Sequence, residues 1–398
     1  MIKATHQIDR KVSRLKILIT NIRLATRTGT EIVVRDLALR LSERQHEVAI
    51  YAPTVGALAE ELKDRGIAVV DDLSKLQFTP DVIHGHHGPN TGESILAFPE
   101  TPAIWICHSA SAWFDAPPRF SQILRIFAVD EACKTRLVKS DGIPADEIEI
   151  LYNAVDFRRV RPRPLPLPSK PLRALSLVKH NGPETIIAEA CRRTGLQFEA
   201  CGHGVGKPID NVEQRCAEAD VVFATARTAL EAMASGAAVI LIDGRGFGGL
   251  ITTAKYDLGR RLNFGAGMLV QQPTPAMLAD AIGAYSAQDA EAVSRRVRQD
   301  ADLDRMILQL EGIYTSVVQE GVRRVFDPDV LRREQIQFCR SYVGKLEPTG
   351  QWAEERSYYL SRCEHLSSAI QTLEHSRSVR LAKALHRLFG QRPKHIQN

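Results

Sequence analysis

Short apolar runs alternate along the chain with longer stretches in which apolar residues recur every three or four positions. Bounded apolar runs indicate buried strands, and the longer spacing indicates amphipathic helices. Clear runs of the first kind are LKILIT (15–20), HEVAIY (46–51), PDVIHGHH (80–87), AIWIC (103–107) and EIEILY (147–152). The alternation predicts an α/β fold with a doubly wound parallel sheet.

A proline-rich segment near the middle interrupts this pattern. Residues 157–172 contain five prolines, which is typical of a stiff, extended linker. The alternation then restarts with RALSLV (173–178), so we predict two Rossmann-like halves. The expected organisation is a flexible extension (1–14), an N-terminal Rossmann-like domain (15–156), the linker (157–172), a C-terminal Rossmann-like domain (173–324) and a helical extension (325–398).

Residues 218–250 have the pattern of a strand, a tight turn, a helix, a second strand and a glycine-rich loop. Two apolar runs, at 221–223 and 239–242, flank a series of good helix formers. Thr228 is placed to cap the helix, and the glycines of 244–249 predict a loop that a ligand can approach closely. A helix N-terminus beside such a loop suits a phosphate, while a βαβ unit that only packs fits the same pattern.

Composition narrows the class of protein. The 398 residues, 44% hydrophobic and 25% charged, predict a soluble globular chain with more than one core. A net charge of +5 does not by itself predict nucleic-acid binding. Seven cysteines without C-x-x-C spacing favour reduced thiols in the cytoplasm and disfavour zinc. No signal-like or membrane-spanning apolar run occurs, so any membrane contact is expected at the surface.

The C-terminal tail has its own character. Residues 377–394 contain no acidic side chain, and four apolar residues share one helical face with basic residues on the others. A basic amphipathic helix can bind an anionic membrane, although docking on the protein or on a partner is an equally open interpretation. Residues 351–376 fit a short coiled coil or a helix packed on the body.

Polar residues follow predicted strands in the C-terminal half, where ligands of doubly wound sheets bind. Lys179 follows the strand at 173–178, and Arg227 lies in the turn before the later helix. Backbone amides and these two cations could hold a diphosphate, with ordinary surface charge as the alternative for both side chains. Glu231, about one turn into the helix, could accept two ribose hydroxyls or simply interact with the helix dipole.

The N-terminal half offers candidates at the same kind of position. Gly29 precedes a helix, where it permits close approach of a ligand or forms a plain turn. His108 ends a strand and could hydrogen-bond a substrate or transfer a proton, with a structural role as the alternative. His84, His86 and His87 are not expected to form a metal site, because adjacent strand residues point to opposite faces and no carboxylate or cysteine accompanies them.

These residues together resemble the family 4 glycosyltransferases of the GT-B fold over roughly residues 15–320. The segments that carry the resemblance, in the family's order, are the opening strand, glycine loop and helix up to QHEV (45–48), PDVIHGHH (80–87), ICHS (106–109), FAVDEACKTRLVKSDGIPADEIEILYNAVD (127–156) and ALEAMASGAAVI (229–240). The resemblance implies two Rossmann-like domains facing a cleft, with the acceptor on the first and a nucleotide-sugar donor on the second.

The resemblance also implies roles for single residues. Glu231 matches the glutamate that binds the nucleotide ribose in the family, and Lys179 is the matching candidate for the diphosphate. His108 matches the strand-end histidine that contacts substrate, which makes it the candidate catalytic residue. The candidate donor-binding residues are Gly29, Lys179, Gly204, Arg227, Thr228, Glu231, Gly246 and Gly248.

One part of the family pattern has no counterpart. The family carries another glutamate before the one matched by Glu231, whereas Phe223 stands eight positions before it and the intervening loop is shortened to ATART (224–228). The chain therefore resembles a divergent member. A GT-B nucleotide-sugar epimerase, and a non-catalytic binding or scaffold protein derived from a transferase, are the alternatives.

The expected function is transfer of a sugar, with a hexosyl type and retained configuration implied by the family. The donor would be a nucleotide-diphosphate sugar and the acceptor a glycan or lipid-linked intermediate in bacterial surface polysaccharide synthesis. We expect no metal or other cofactor and no nucleic-acid partner. The expected location is the cytoplasm, with residues 377–394 able to contact the anionic inner face of the membrane.

Overall fold

The computed structural model describes residues 14–27, 29–178, 183–202, 205, 207 and 211–341. The first of its two compact units ends at Gln335, and the second begins at Ile336. Lys179, Gly204, the segment 351–376 and the basic tail 377–394 lie outside the described residues. No helix in the described part of the chain is long and apolar enough to cross a membrane.

The first sheet is seven-stranded and parallel. Its strands are β1 (Lys16–Thr20), β2 (Glu47–Tyr51), β3 (Ala68–Val70), β4 (Val82–His86), β5 (Ala103–Cys107), β6 (Ile123–Ala128) and β7 (Ile148–Ile150). The intervening helices are α1 (Gly29–Glu43), α2 (Ala57–Asp64), α3 (Gly88–Ala97) and α4 (Glu131–Lys139). The strand order is β3-β2-β1-β4-β5-β6-β7, so the chain reverses direction across the sheet between β1 and β4. A ligand crevice forms at such a reversal.

The second sheet has five strands. They are β8 (Arg173–Ser176), β9 (Gln197–Ala200), β10 (Val221–Ala224), β11 (Ala238–Asp243) and β12 (Gly246–Leu250). The helices that follow β8 in the chain are α5 (Glu184–Thr194), α6 (Val212–Glu218), α7 (Ala226–Ala234), α8 (Thr253–Arg261), α9 (Pro275–Gly283), α10 (Ala287–Asp300) and α11 (Leu303–Arg323). The order β12-β11-β10-β8-β9 places the reversal between β8 and β10. The predicted α/β class with two Rossmann-like halves is confirmed.

Helix α11 packs against the first sheet, which is formed by the N-terminal part of the chain. Ile307, Leu310 and Tyr314 are fully buried and pack into the core of the first sheet, together with residues of α1. The amphipathic pattern of α11 thus serves the N-terminal half, although the helix follows the second sheet in sequence.

Two local predictions in the region 218–250 are wrong. Helix α7 begins at Ala226 with Thr225 in the capping position, so Thr228 lies inside the helix and does not cap it. The glycines are not all in a loop, because β12 begins at Gly246 and pairs antiparallel with β11. A Cβ at Gly246 would lie 2.7 Å from the carbonyl oxygen of Leu269, which shows that the chain's own backbone approaches closely here.

Gly246→Ala is expected to destabilise the fold by about 1–3 kcal/mol, because the added methyl group would overlap backbone atoms that cannot rotate away. The free energy of urea unfolding measures this effect. Gly283→Ala is the matched control, since nothing lies within 4 Å of a Cβ at that position. Equal unfolding free energies for the two variants would contradict this structural role of Gly246.

Candidate functional site

Three neighbouring strands of the first sheet end side by side and bring their following residues together. His86 is the last residue of β4, His108 follows β5, and Gly29 begins α1 after β1. The hydroxyl of Thr20, at the end of β1, lies 3.0 Å from both the backbone nitrogen and the carbonyl oxygen of His86. Thr20, His86 and His108 therefore lie together at the carboxyl ends of neighbouring strands, where the ligand crevice of a doubly wound sheet forms.

The loop before α1 is held from within the helix. Glu31 is fully buried, and its Oε1 accepts hydrogen bonds of 3.0 Å from the backbone nitrogens of both Ala25 and Thr26. Its Oε2 accepts a 2.6 Å bond from the Thr26 hydroxyl. A buried carboxylate that binds backbone amides stabilises the conformation of Ala25 and Thr26 before α1.

A row of histidines extends from the crevice into the core. Nδ1 of His86 lies 2.6 Å from Nε2 of His108, and the rings of His84 and His86 stack with centroids 4.6 Å apart. Nδ1 of His84 lies 2.5 Å from the hydroxyl oxygen of Tyr314. Burial lowers the pKa of His84 to about 3 and lowers the pKa values of His86 and His108 well below the ordinary 6.5. These rings are therefore neutral at physiological pH.

Neutral rings make the contact between His86 and His108 directional. One proton lies between the two nitrogens, so one ring donates and the other accepts. When His108 donates through Nε2, its Nδ1 is left as a hydrogen-bond acceptor. His108 keeps partial exposure, whereas His86 is fully buried. The arrangement suits a group that takes or shares a proton with a bound substrate.

The buried histidines predict a loss of stability in acid. The unfolded chain takes up protons below about pH 6.5, whereas His84 in the folded chain stays neutral until about pH 3. His84→Phe is therefore expected to reduce the loss of unfolding free energy between about pH 7.5 and pH 5. Urea unfolding of parent and variant at both pH values measures the difference. An identical loss in both proteins would contradict this account.

The loop after β5 contains an acidic residue that the sequence reading did not single out. Asp115 is 1% exposed, and its Oδ1 accepts a long 3.4 Å hydrogen bond from the backbone nitrogen of His108. Burial raises the pKa of Asp115 to about 7. The folded chain keeps this carboxyl protonated at pH values where the unfolded chain has lost the proton. Its contribution to the free energy of unfolding therefore falls as the pH rises toward 7, which is opposite in sign to the effect of the histidines. Nothing in the local sequence distinguishes this residue from an exposed loop aspartate.

Aromatic residues of the same loop border the crevice. Phe114 meets the ring of His87 edge to face at 5.1 Å, and Trp113 meets Phe114 at 5.8 Å. The Trp113 side chain is 53% exposed. The surface beside His108 is thus partly apolar, as in many sites that bind organic ligands.

In the C-terminal half, the structure brings Arg227 and Glu231 together in the first turns of α7. Both side chains are buried, and Nη2 of Arg227 lies 3.1 Å from Oε1 of Glu231. Arg227 is therefore not an ordinary surface charge. Thr225, one residue before the helix, points its hydroxyl toward Asp243 at 3.3 Å instead of capping the helix.

Two further residues join this pair, and sequence reasoning missed both. Asp36 of α1 pairs with Arg227, and Arg159 of the segment after β7 pairs with Glu231. Arg159 also lies 3.7 Å from Asp36. We call Asp36, Arg159, Arg227 and Glu231 the ionic ring, because each member contacts two members of opposite charge.

The start of α7 carries backbone strain. Ala226, Asn263 and Phe264 have φ angles of 53°, 52° and 49°, in the left-handed region that is costly for residues with a side chain. The backbone nitrogen of Ala226 donates a 2.8 Å hydrogen bond to the Phe264 carbonyl, which holds the two segments together. Strain of this kind often lies at functional sites, and each such residue costs about 1–3 kcal/mol.

Three other candidate donor-binding residues lie within a helix and a strand of the C-terminal half. Thr228 lies in α7, one residue after Arg227, while Gly246 and Gly248 lie in β12. A Cβ at Gly248 would lie 2.9 Å from the carbonyl oxygen of Met268, so this glycine too makes room for backbone. No group of three or more His, Cys, Asp or Glu residues suited to a metal occurs in the described ranges.

Comparison with known proteins places this site in context. Residues 27–159 match the family model of Glycosyltransferase Family 4. This match covers most of the first sheet and includes Asp36, His108 and Arg159. None of the curated proteins matches the sequence.

Solved structures resemble the chain over most of its length. HepE of Anabaena, solved in complex with UDP and glucose, is 16% identical, with a TM-score of 0.55 over 76% of this chain and 100% of that one. A glycosyltransferase from Rickettsia africae is 14% identical, with a TM-score of 0.55 over 77% of this chain and 99% of that one. These likenesses are likenesses of fold, and they confirm the predicted GT-B arrangement.

Proposed function

We propose that this protein is a glycosyltransferase that moves a sugar from a nucleotide-diphosphate sugar to a glycan or lipid-linked acceptor. The observation that carries the proposal is the family match over residues 27–159 within a GT-B fold. The family match includes His108, and Glu231 belongs to α7, the helix that follows the carboxyl end of β10. Doubly wound sheets bind ligands beyond the carboxyl ends of their strands, which supports the proposal.

The donor is proposed to bind at the start of α7. The ribose hydroxyls would donate hydrogen bonds to Glu231, and the helix N-terminus would favour the negatively charged diphosphate. Arg227 supplies a guanidinium beside that terminus, and Lys179 is a further proposed contact. Stabilisation of the diphosphate leaving group by cations and amides is the main contribution expected of this half.

The acceptor is proposed to bind in the N-terminal half, beside His108. The exposed face of Trp113 and the ring of Phe114 would border it. His108 would hydrogen-bond the reacting sugar through the ring nitrogen that does not face His86. Retention of configuration, hexosyl transfer without a metal, and a place in bacterial surface polysaccharide synthesis complete the proposal.

Incubation with UDP-, GDP- and ADP-sugars tests the proposal. Release of a nucleoside diphosphate that depends on Glu231 supports it. A sugar changed in configuration without release would instead support an epimerase. Absence of binding by every nucleotide would support a non-catalytic protein and overturn the proposal.

A further inference from the structure

The ionic ring joins three parts of the chain that are far apart in sequence. Asp36 lies on α1 of the N-terminal half, Arg159 in the segment that leads to the second sheet, and Arg227 and Glu231 on α7. Asp36 and Arg227 are 191 positions apart. Opposite charges alternate around the ring, so each guanidinium bridges one carboxylate of each half.

The side chains of the ionic ring are largely shielded from solvent. Asp36, Arg227 and Glu231 are 4%, 6% and 6% exposed, and the Arg159 side chain is 20% exposed. Desolvation alone would raise the pKa of Asp36, but Arg227, Arg35 and Arg159 outweigh it and lower the pKa. Desolvation would lower the pKa of Arg159, but Glu231, Asp36 and Glu213 outweigh it and raise the pKa. Asp36 and Arg159 are therefore held in their charged forms.

The hydrogen bonds to the Glu231 carboxylate converge on one oxygen. Arg159 donates through Nη2 to Oε1, and Arg227 donates through Nε to the same atom at 3.2 Å. No hydrogen bond from a described residue ends on Oε2 in the structure. A ribose that uses both carboxylate oxygens would compete with a guanidinium for Oε1.

Of the two arginines, Arg159 is the one with room and an alternative partner. Its Nη1 already lies 3.1 Å from Oε2 of Glu213 on α6. It borders a cavity of about 440 Å³ that Asp36 and Glu213 also line. Arg227, by contrast, is enclosed in the first turn of α7 and also contacts the Ala154 carbonyl at 3.5 Å.

We propose that Arg159 is a positioning residue of the donor site, whose guanidinium holds Oε1 of Glu231 in the nucleotide-free protein. A nucleoside diphosphate displaces Arg159 from this oxygen, and the guanidinium moves toward Glu213. Donor affinity is thereby set by a residue that does not touch the donor. The inference rests on the proposed donor role of Glu231.

Removal of the competitor tests the inference. Arg159→Gln is expected to bind UDP, GDP or ADP about tenfold more tightly than the parent, the effect of one charge-assisted hydrogen bond. Isothermal titration calorimetry measures the dissociation constants. Arg158→Gln is the matched control with parent affinity, because Arg158 is 61% exposed in its side chain and pairs with Glu43 and Asp304 outside the ring.

A second variant gives an effect of opposite sign. Glu213→Gln removes the charge to which Arg159 would move, so nucleotide binding is expected to weaken several-fold. Arg159→Lys keeps the positive charge and is expected to lie near the parent. Thermal unfolding shows whether each variant is folded.

The outcomes separate this inference from the proposed function. Equal or weaker binding by Arg159→Gln, with binding by the parent intact, overturns the role of Arg159 and leaves the transferase standing. Unchanged binding by Glu213→Gln overturns it as well. Absence of binding by the parent and by Arg159→Gln overturns both, because the variant should expose the site most fully.

Discussion

Glu231→Gln is expected to lower kcat/KM for the nucleotide-sugar donor by about 100-fold or more. The variant keeps the volume of the side chain and loses the charge that would accept the ribose hydroxyls. Hydrogen bonds to a charged group contribute about 1.5–3 kcal/mol each, and two of them account for the expected factor. Initial rates of nucleoside diphosphate release at several donor concentrations measure it.

The same substitution has a structural consequence that must be measured separately. Without the charge of Glu231, Arg227 keeps only Asp36 of its two carboxylates in the ionic ring. A buried guanidinium that loses a partner destabilises the fold, so the free energy of unfolding is expected to fall. Asp36→Asn removes the other carboxylate of the ring and is the matched control. If both variants lose stability equally but only Glu231→Gln loses donor turnover, the donor role of Glu231 is supported. Parent-like kcat/KM in folded Glu231→Gln would contradict it.

The overall fold followed from the sequence because its elements carry strong local signals. The run AIWIC, for example, coincides with β5 from Ala103 to Cys107, and every residue of that strand is buried. His86 and His108 both stand at the ends of apolar runs that predicted strands, and in the structure their rings meet. Hydrophobic periodicity and the ends of apolar runs are local properties of the sequence, so they can be recognised before the fold is known.

The ionic ring could not be predicted in the same way. Asp36 lies in an amphipathic helix, where a charge normally indicates a solvent-exposed face, and its partners are distant in sequence. These charges are buried together only where Asp36 of α1 meets Arg227 of α7 and Arg159 in the folded chain. Strand β12 was missed for a different reason. Its glycines suggested a loop, whereas they lie in a strand paired with β11 and make room for the backbone at Met268 and Leu269.

The position of Phe223 bears on how the site could work. The side chain is fully buried in β10, so it cannot contact a ligand bound beside α7. The turn after β10 is short and strained at Ala226, and it leads directly into the helix that carries Arg227 and Glu231. The proposed contact with the reacting sugar therefore falls on His108 of the N-terminal half.

His108→Ala is accordingly expected to lower kcat by about 100-fold or more while the KM for the donor changes little, because positioned proton transfer contributes about 10²–10⁴-fold. Nucleotide affinity should be retained, since the proposed donor contacts lie on the second sheet. Measurement of kcat and KM from donor titrations separates the two effects.

His86 provides the control that distinguishes chemistry from packing. His86→Phe keeps a ring of similar size in the buried position but removes Nδ1, which lies 2.6 Å from Nε2 of His108. If His86 acts by directing the proton on His108, His86→Phe lowers kcat, and the double variant is no slower than His108→Ala alone. If the two substitutions instead lower kcat independently, so that their factors multiply in the double variant, His86 acts by another route. Parent-like kcat for His108→Ala would remove this histidine from the reaction and place the acceptor chemistry elsewhere on the first sheet.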